Sequence, residues 1–562
     1  MNRTKNRLWL GGLFVLALAA LLAAPAWAAG DWPIYGGNYW NDRFSPLEQI
    51  NTDNAGRLHV AFTFPLGTLG DHQSTPLAVG DTLYVTSSAG PKYVWAVDAR
   101  SGAVRWVHEN QVPADIGAYN CCGLNNRGAA YSNGRVFVGR QDAYLVALDA
   151  RSGRELWKAQ VGDYKAGTEI TSPPLVVHDK VITGINGGEF GGRGSLQAYD
   201  VATGRLVWRT YTVPGPGERG NDTWKGDSWK HGGAVIWNVG AYDPKLNLAY
   251  WGTSNPQPWA DAPRAPDSPN YGKYRNLWSS SVIAVNPDTG KIVWAFQEVP
   301  DDAWDYDALE PQLADLKIGG HEVPALLDLG KGGFLYVLDR RNGKLISAKP
   351  YVYVNWAKGV NQETGRPIEV PDKRPTLTHV AKNVCPHLSG GTTWMPKSWN
   401  PMTGLLYIQS DNMCQDVKEN KIEYHRGTLY LGTDNSALPG PGNFLGEVIA
   451  VDPVTHKKVW GAKESLPYNG GVLSTAGGVV FYGDWEGWFY ARDARTGRLL
   501  WKFNTGNGIT AGPVSYAVDG KQYVAVVGGR LVAIPGFLGD IGKTMVERSP
   551  QVGGSLYVFS LD

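Results

Sequence analysis

The stretch from Val94 to Trp106 reads VWAVDARSGAVRW, and similar stretches recur along the chain. The shared pattern is an alternating apolar run, then Asp or Asn, a short polar turn that usually contains Gly, and a second apolar run. Asp and Gly supply turn chemistry between two runs of period two, so each copy predicts a β-hairpin. The other copies are Leu145–Trp157, Leu196–Trp208, Val282–Trp294, Val448–Trp460 and Phe489–Trp501, with variants at Leu335–Ile346 and Ser398–Ile408.

The spacing of these hairpins predicts how they assemble. Asp98, Asp149 and Asp200 follow one another at steps of 51 residues. Repeats of about this length, each with several strands, are typical of propeller blades. The eight marked copies therefore predict an all-β fold, an eight-bladed β-propeller, in which the final run SLYVFSLD closes the ring with the N-terminal segment. Two separate β domains are the alternative, whereas the strand alternation excludes a helical solenoid.

The N-terminus has the order of a secretory signal. Basic residues precede an apolar run from Leu8 to Ala24, and the small-x-small sequence Ala26-Trp27-Ala28 follows. We therefore predict a cleaved signal peptide at 1–28, export to the periplasm, and one mature domain at 29–562. An uncleaved anchor is the alternative, although the run is short for a bilayer span of ~20 residues. No second long apolar run follows, so no membrane span is expected in the mature chain.

Composition limits the classes of partner. Charged residues make up 19% of the chain, and its formal charge of +1 becomes −2 when the three basic residues of the signal are removed. A chain this close to neutral has no electrostatic reason to bind nucleic acid. The four cysteines of an exported chain predict disulfides. No Cys-x-x-Cys-His sequence occurs, so covalent haem is not expected and any released electrons must pass to a separate partner.

The adjacent pair Cys121-Cys122 is the most specific feature of the sequence. Neighbouring Cα atoms lie ~3.8 Å apart, whereas ordinary disulfides span ~4.4–6.8 Å. A bond between these two cysteines would therefore form a strained eight-membered ring, which indicates a functional role. The alternative is that each of them pairs with Cys385 or Cys414.

A long excess over the repeat, roughly residues 210–273, interrupts the regular spacing. Long loops in compact folds are usually functional. The excess is rich in tryptophan, which favours a packed segment over a disordered one. The tryptophans concerned are Trp224, Trp229, Trp237, Trp251 and Trp259.

The segment NCCGLNNRGAAY (Asn120–Tyr131) resembles the cofactor-binding segment of the alcohol dehydrogenases that depend on pyrroloquinoline quinone (PQQ). The resemblance covers essentially the whole mature chain. It implies that Cys121 and Cys122 form a ring disulfide against one face of PQQ, that Arg127 contacts the cofactor, and that Trp237 stacks on the second face. Further implied cofactor contacts are Thr171, Asn186, Gly187, Gly188 and Lys331. The resemblance also implies a structural disulfide between Cys385 and Cys414.

The same resemblance implies a metal site and a catalytic pair. Glu189, Asn255 and Asp305 fall on the family's metal ligands, and oxygen ligands suit a hard cation rather than zinc or copper. The ion would act as a Lewis acid on the quinone carbonyl. Asp305 would take the proton of the alcohol as hydride passes to PQQ. Lys331 would stabilise the charge that develops on the quinone oxygen.

Asp307 bears on the identity of the metal. In an extended segment, residues i and i+2 point to the same side, so Asp305 and Asp307 could contact one ion. Asp-x-Asp at this place resembles the lanthanide-dependent branch of the family, and an additional carboxylate favours a trivalent ion. We therefore predict one lanthanide ion, with Ca²⁺ as the alternative; Asp307 facing solvent is the other alternative.

Some positions depart from the family pattern. Gln73 replaces a common cofactor-binding Glu, Thr393 a common Asn, and Asn469 the Trp of methanol dehydrogenases; we keep all three as candidate cofactor contacts. Gly529-Arg530 also lacks a Trp that often follows this Gly pair. Fewer bulky groups indicate a substrate larger than methanol.

The sequence thus predicts a PQQ-dependent dehydrogenase that oxidises a primary or secondary alcohol to an aldehyde or ketone. The resemblance implies cytochrome c as the separate electron acceptor, and the assembly is open between a monomer and a homodimer. Two other functions stay open: a non-catalytic propeller that scaffolds the cell envelope, and a PQQ enzyme for sugars or polymeric alcohols.

Overall fold

The computed structural model describes residues 28, 30–266, 273–530, 532 and 534–562. The predicted signal peptide lies outside the described residues, apart from its last position. In the described part of the chain, no helix is long and apolar enough to cross a membrane. The regular structure is almost all β-strand, as the hairpin pattern predicts.

Antiparallel sheets of four strands follow one another along the chain. The first consists of Leu77–Val79, Thr82–Thr86, Tyr93–Asp98 and Val104–Glu109. The second consists of Ala129–Ser132, Arg135–Gly139, Tyr144–Asp149 and Glu155–Gln160. The third consists of Leu175–Val177, Lys180–Gly184, Ser195–Asp200 and Leu206–Tyr211. The fourth consists of Ala241–Asp243, Leu248–Gly252, Ser281–Val285 and Ile292–Gln297.

The later sheets repeat this arrangement. The fifth consists of Gln312–Ile318, His321–Leu329, Phe334–Asp339 and Lys344–Pro350. The sixth consists of Ser398–Asn400, Leu405–Asp411, Gly446–Val451 and Lys458–Glu464. The seventh consists of Val472–Thr475, Val479–Gly483, Trp488–Asp493 and Leu499–Asn504, with Phe44–Ser45 added in parallel.

The last sheet joins the two ends of the described chain. Its C-terminal strand, Ser555–Ser560, lies antiparallel to the early strand His59–Pro65. The remaining strands of this sheet are Gly508–Ile509, Val514–Val518 and Lys521–Gly529. The predicted pairing between the final SLYVFSLD run and the N-terminal segment is therefore confirmed.

Smaller elements lie outside these sheets. A two-stranded sheet contains Ala357–Val360 and Pro367–Glu369, and a three-stranded sheet contains Ala381–Val384, Met413–Glu419 and Thr433–Pro439. Short 3₁₀ helices occur at Ala55–Arg57, Ile116–Ala118, Tyr164–Ala166, Gly188–Phe190, Asn221–Thr223, Ser228–His231, Pro371–Lys373 and Ile534–Phe537. One α-helix, Gly539–Arg548, is found among the described residues, and its Met545 is buried.

The turn chemistry of the repeated stretch works as predicted. In the first copy, the carboxylate of Asp98 accepts hydrogen bonds from the backbone and hydroxyl of Ser101 at 3.1 Å. The backbone N–H of Gly102 donates to the carbonyl of Asp98, and Gly102 has a φ of +73°. That left-handed conformation favours glycine, so Asp and Gly together reverse the chain.

The tryptophan that ends a copy attaches its sheet to the next one. The indole N–H of Trp106 donates to the carbonyl of Ala150 in the following sheet at 2.9 Å. A Cβ added at Gly153 would lie 2.5 Å from the same indole, so only glycine leaves room for the ring. The same hydrogen bond joins Trp157 to Val201, Trp208 to Pro287, Trp294 to Arg340 and Trp460 to Ala494.

The hydrophobic cores lie between consecutive sheets. One buried cluster, for example, combines Leu77 and Val94 of the first sheet with Val136 and Val146 of the second. Sheets that alternate buried apolar positions and pack face to face in chain order form a β-propeller. The predicted all-β propeller class is therefore confirmed.

The long segment that runs from the end of the third sheet into the fourth, roughly residues 210–273, is packed where it is described. Trp224 is buried, and its indole N–H donates to the carbonyl of Leu277 at 2.6 Å. Trp251 and Trp259 are also buried. The segment brings Trp237 to the cavity that contains the candidate site.

Candidate active site

A cavity of about 420 Å³ opens among the loops that connect the sheets. Such a volume lies within the ~300–1,000 Å³ typical of small-molecule sites. Most of the predicted site residues line this single cavity although they come from distant parts of the sequence. They are Gln73, Cys121, Cys122, Arg127, Thr171, Asn186, Glu189, Trp237, Asp305, Asp307, Lys331 and Thr393.

Both disulfides are present. Cys121 and Cys122 are bonded to each other, with their Cα atoms 3.8 Å apart, and the ring lies in the cavity wall. Cys385 and Cys414 form the second bond, and both are buried. The ring disulfide and the second pairing that the family resemblance implies are therefore confirmed, and the alternative pairing is excluded.

Arg127 and Trp237 form a second wall of the cavity. The guanidinium carbon of Arg127 lies 5.0 Å from the centroid of the Trp237 ring, and its Nη1 donates to the hydroxyl of Thr171 at 2.9 Å. Burial lowers the pKa of Arg127 to about 10, so it keeps its positive charge at neutral pH. A cation and flat side chains facing one cavity suit an anionic, aromatic ligand.

Asp305, Asp307 and Lys331 form a buried charged cluster. The ammonium of Lys331 lies 2.7 Å from Asp305 and 3.8 Å from Asp307. Burial lowers the pKa of Lys331, but the two carboxylates outweigh this effect and hold it above its usual value. Burial raises the pKa of Asp305. The charge of Lys331 lowers this pKa, and the charge of Asp307 raises it further. Lys331 therefore stays charged and stabilises the ionised form of the carboxylate that it touches.

The sequence around Asp305 explains its position. Asp302 accepts hydrogen bonds from the backbone N–H groups of Trp304 at 2.8 Å and Tyr306 at 2.5 Å. Asp305 lies between these two residues and has a φ of +66°, a conformation that costs a non-glycine residue energy. The turn that Asp302 builds therefore presents Asp305 to the cavity.

Asp307 is connected to two other predicted residues. Its Oδ2 accepts a hydrogen bond from the indole N–H of Trp237 at 2.9 Å, and its Oδ1 accepts one from the backbone N–H of Asn255 at 2.6 Å. Asp307 faces the cavity and not solvent, since it is buried and lines the cavity wall. Through it the indole plane, the charged cluster and Asn255 are held together.

Glu189 completes an oxygen-rich set of donors. Its Oε2 is buried without a hydrogen-bond partner, and burial followed by the charge of Asp307 raises the pKa of its carboxyl. An orphaned carboxylate oxygen beside two further carboxylates is a setting that a hard cation would stabilise. The residues therefore fit a metal ion. A carboxylate oxygen of Glu189 also lies within 4.8 Å of both ring sulfurs, but bonded sulfurs are not thiolates and so are not metal ligands.

The residues also fit PQQ, a flat quinone that carries carboxylates. The ring disulfide and Trp237 supply two apolar surfaces on one cavity, and Arg127 and Lys331 supply positive charge. Gln73 lines the same cavity, and its buried Oε1 has no hydrogen-bond partner. The donor set, the flat walls and the charge thus agree with the cofactor that the sequence predicts.

Four predicted residues do not line the cavity: Gly187, Gly188, Asn255 and Asn469. Gly187 approaches another chain segment so closely that an added Cβ would lie 1.8 Å from the carbonyl oxygen of Gly167. Asn469 accepts a hydrogen bond from the indole of Trp394 at 2.8 Å, so it orients a residue that does line the cavity.

The apolar outer part of the cavity was not predicted from the sequence. Nor was Trp394, whose ring lies 5.1 Å from the guanidinium carbon of Arg127. The Trp-Met-Pro sequence directly after Thr393 is a local signal that could have revealed it. The missed apolar lining residues are Phe190, Trp259, Leu388, Leu429, Leu431, Ile534, Phe537 and Leu538.

Comparisons with known proteins agree with this geometry. Residues 32–367 and 443–524 match the PQQ family described as the glucose/ethanol/alcohol dehydrogenase β-propeller domain. The chain is 40% identical to a lanthanide-dependent methanol dehydrogenase of Methylacidiphilum fumariolicum, over 95% of this chain and 93% of that protein. It is 39% identical to the quinoprotein alcohol dehydrogenase PedH of Pseudomonas putida, over 92% and 89% of the two chains.

A solved structure shows the same likeness in three dimensions. A europium-containing methanol dehydrogenase superposes with a TM-score of 0.90 at 39% identity, and the match covers 95% of this chain and 98% of the other. The sequence match, the fold and the cavity all lead to one assignment. The chain belongs to the PQQ-dependent alcohol dehydrogenases.

Proposed function

We propose that this chain, after export to the periplasm, oxidises a primary or secondary alcohol to an aldehyde or ketone with PQQ and one bound metal ion. The observation that carries the proposal is the convergence of the ring disulfide, Arg127, Trp237 and the Asp305–Lys331 pair on one cavity. We also propose eight blades, which the eight sheets of four or more strands among the described residues support. The mature domain would run from residue 29 to 562.

Each residue has a proposed task. Asp305 accepts the proton of the alcohol hydroxyl as general base. Lys331 would stabilise negative charge on the quinone oxygen, and it lowers the pKa of Asp305 against the burial that raises it. Arg127 and Thr171 bind the cofactor, together with Gln73, Asn186 and Thr393. Bound PQQ would supply the two-electron acceptor for the hydride of the alcohol.

The proposed metal ion is a lanthanide, with Ca²⁺ as the alternative. Glu189, Asp305 and Asp307 would each supply carboxylate oxygen, and Asn255 would supply an amide oxygen. Three carboxylates around one ion favour a trivalent charge. The lanthanide-dependent and europium-containing relatives support this choice.

The proposed electron acceptor is a separate cytochrome c. The sequence has no covalent haem motif, so the electrons of reduced PQQ must leave the chain. A homodimer is proposed as the alternative to a monomer.

The apolar outer part of the cavity supports an alcohol larger than methanol. The side chains of Leu429 and Phe537 line the cavity and are also 54% and 39% exposed, so they lie at its mouth. An alkyl or aryl group of the substrate that covers these side chains would remove apolar surface from water. Each buried methylene contributes about 0.8 kcal/mol, so the gain grows with chain length.

We expect Leu429→Ser to reduce the preference for long alcohols. In the wild-type chain, kcat/KM should rise by about three- to fourfold per methylene from ethanol to 1-butanol, the factor that ~0.8 kcal/mol corresponds to. The variant should flatten this slope because a hydroxyl replaces the apolar surface, while kcat with ethanol stays near wild type. Initial rates over the alcohol series measure the slope, and an unchanged slope would contradict the role of the mouth.

The proposed function is tested by dye-linked alcohol oxidation with the purified mature chain. PQQ is added with either Ca²⁺ or a light lanthanide, and cofactor binding is followed by absorbance. We expect turnover with the lanthanide. Turnover with Ca²⁺ and not with the lanthanide would support the proposed dehydrogenase activity but reject the lanthanide as its metal. If the chain shows no turnover and binds no PQQ with either metal, the proposed function is rejected and a non-catalytic scaffold is favoured.

A further inference from the structure

Glu169 lies where three segments of the cavity wall meet. Its own segment continues to Thr171, which lines the cavity. Its backbone pairs with that of Asn186 through hydrogen bonds of 2.8 and 3.4 Å. Asn186 in turn begins the stretch that ends at Glu189. Glu169 itself is fully buried and does not line the cavity.

The carboxylate of Glu169 gathers three amide groups. Its Oε2 accepts a hydrogen bond from Asn120 at 2.6 Å and one from Gln141 at 2.8 Å. Its Oε1 accepts one from Asn186 at 3.0 Å. The amide of Gln141 also donates to the carbonyl of Gly123 at 3.0 Å.

These hydrogen bonds hold the ring disulfide from both sides. Asn120 directly precedes Cys121, and Gly123 directly follows Cys122. Glu169 therefore fastens the first end of the ring through Asn120 and the second end through Gln141. Through Asn186 it fastens the wall that leads to Glu189. Burial raises the pKa of Glu169 to about 8, although the hydrogen bonds with Gln141 and Asn120 lower it. The carboxyl oxygens accept these hydrogen bonds in either protonation state, and the bonds are stronger when the carboxyl is ionised.

We propose that Glu169 is a positioning residue that fixes the Cys121–Cys122 ring relative to Asn186, and so sets the shape of the cofactor cavity. It acts through the amides of Asn120, Gln141 and Asn186 and does not touch the substrate. The inference rests on the proposed function only for its effect on PQQ. Its effect on the ring itself is independent of any cofactor.

The first test measures the ring disulfide in the protein without PQQ or metal. Glu169→Gln keeps the size of the side chain but turns two acceptor oxygens into one. We expect the Cys121–Cys122 bond to be reduced by dithiothreitol about tenfold faster in the variant, since leaving one buried donor without its acceptor is worth roughly that factor. Alkylation followed by peptide mass spectrometry measures the rate.

The same molecule contains its own control. In the part of the chain that the structure describes, no hydrogen bond joins Glu169 to Cys385 or Cys414, and the reduction rate of the Cys385–Cys414 bond should be unchanged. Equal acceleration of both disulfides would show general loosening and overturn the proposal. Unchanged reduction of Cys121–Cys122 would also overturn it.

The second test measures PQQ affinity by quenching of tryptophan fluorescence. We expect Glu169→Gln to weaken PQQ binding by about 10- to 100-fold, as is usual when a residue that orients a ligand contact is lost. Glu169→Asp should recover part of the affinity because it keeps a carboxyl group with two oxygens that can accept the amides. Glu155→Gln, at an exposed position of the strand Glu155–Gln160, is the matched control and should leave affinity unchanged.

Asn120→Ala provides a second test of the proposal in case Glu169→Gln does not fold. It removes one of the three amides from a half-buried position. We expect a smaller acceleration of ring reduction, and no further acceleration when it is combined with Glu169→Gln, because both act on one hydrogen bond. Additive effects would overturn the proposed route through Asn120. If PQQ fails to bind the wild-type chain, the proposed function fails while the reduction experiment still decides the role of Glu169.

Discussion

Asp305→Asn is expected to lower kcat by about 10²- to 10⁴-fold with every alcohol, the usual contribution of a general base. Asparagine keeps the size of the side chain but accepts no proton at neutral pH. Lys331 loses the partner at 2.7 Å and retains the carboxylate of Asp307 at 3.8 Å, so the cluster stays partly paired. Dye-linked turnover at saturating metal and PQQ measures the loss.

Two measurements separate lost proton transfer from lost binding. The PQQ affinity of Asp305→Asn, from fluorescence quenching, should stay within a few-fold of wild type because Arg127 and Thr171 are untouched. As a control, Asp53→Asn changes an exposed carboxylate far from Asp305 in the sequence and should leave kcat unchanged. If Asp305→Asn turns over at the wild-type rate once metal is saturating, Asp305 is not the base.

Asp307→Asn is expected to weaken lanthanide binding by about 100-fold, at the upper end of what lost orienting contacts cost. Removing one negative charge costs a trivalent ion more than a divalent one, since the interaction scales with the product of the charges. Ca²⁺ binding should therefore fall less. Terbium luminescence sensitised by nearby tryptophan measures the affinity directly, because the indole N–H of Trp237 lies 2.9 Å from Asp307.

Asp307→Ala shows how much of the effect comes from packing. Asparagine keeps an oxygen that can accept the N–H of Asn255, whereas alanine removes the acceptors of both Asn255 and Trp237. We expect both variants to lose lanthanide-supported turnover, and alanine also to weaken PQQ binding. If terbium affinity is unchanged in both variants, and turnover with Ca²⁺ is equal before and after the change, the lanthanide assignment is wrong.

The propeller could be predicted from sequence because its determinants are local and repeated. The Asp or Asn of each turn, and the Gly that most turns contain, act within four residues, and the apolar alternation of each strand depends only on period two. The packing of Trp106 on Gly153 recurs between other consecutive sheets, so a single repeated pattern predicts how the sheets pack against one another. The α-helix Gly539–Arg548 belongs to no repeat, and it was not predicted.

The sequence by itself determined the hairpin repeat, the adjacent cysteines and the identity of the charged residues near Asp305. Only the tertiary structure decided which groups meet. Glu169 lies 49 residues from Asn120, and Leu429 and Phe537 reach one cavity mouth from separate segments of the chain. Such contacts depend on how the sheets are arranged around the cavity. No local pattern encodes these contacts, since their partners lie far apart in the sequence and meet only in the folded chain.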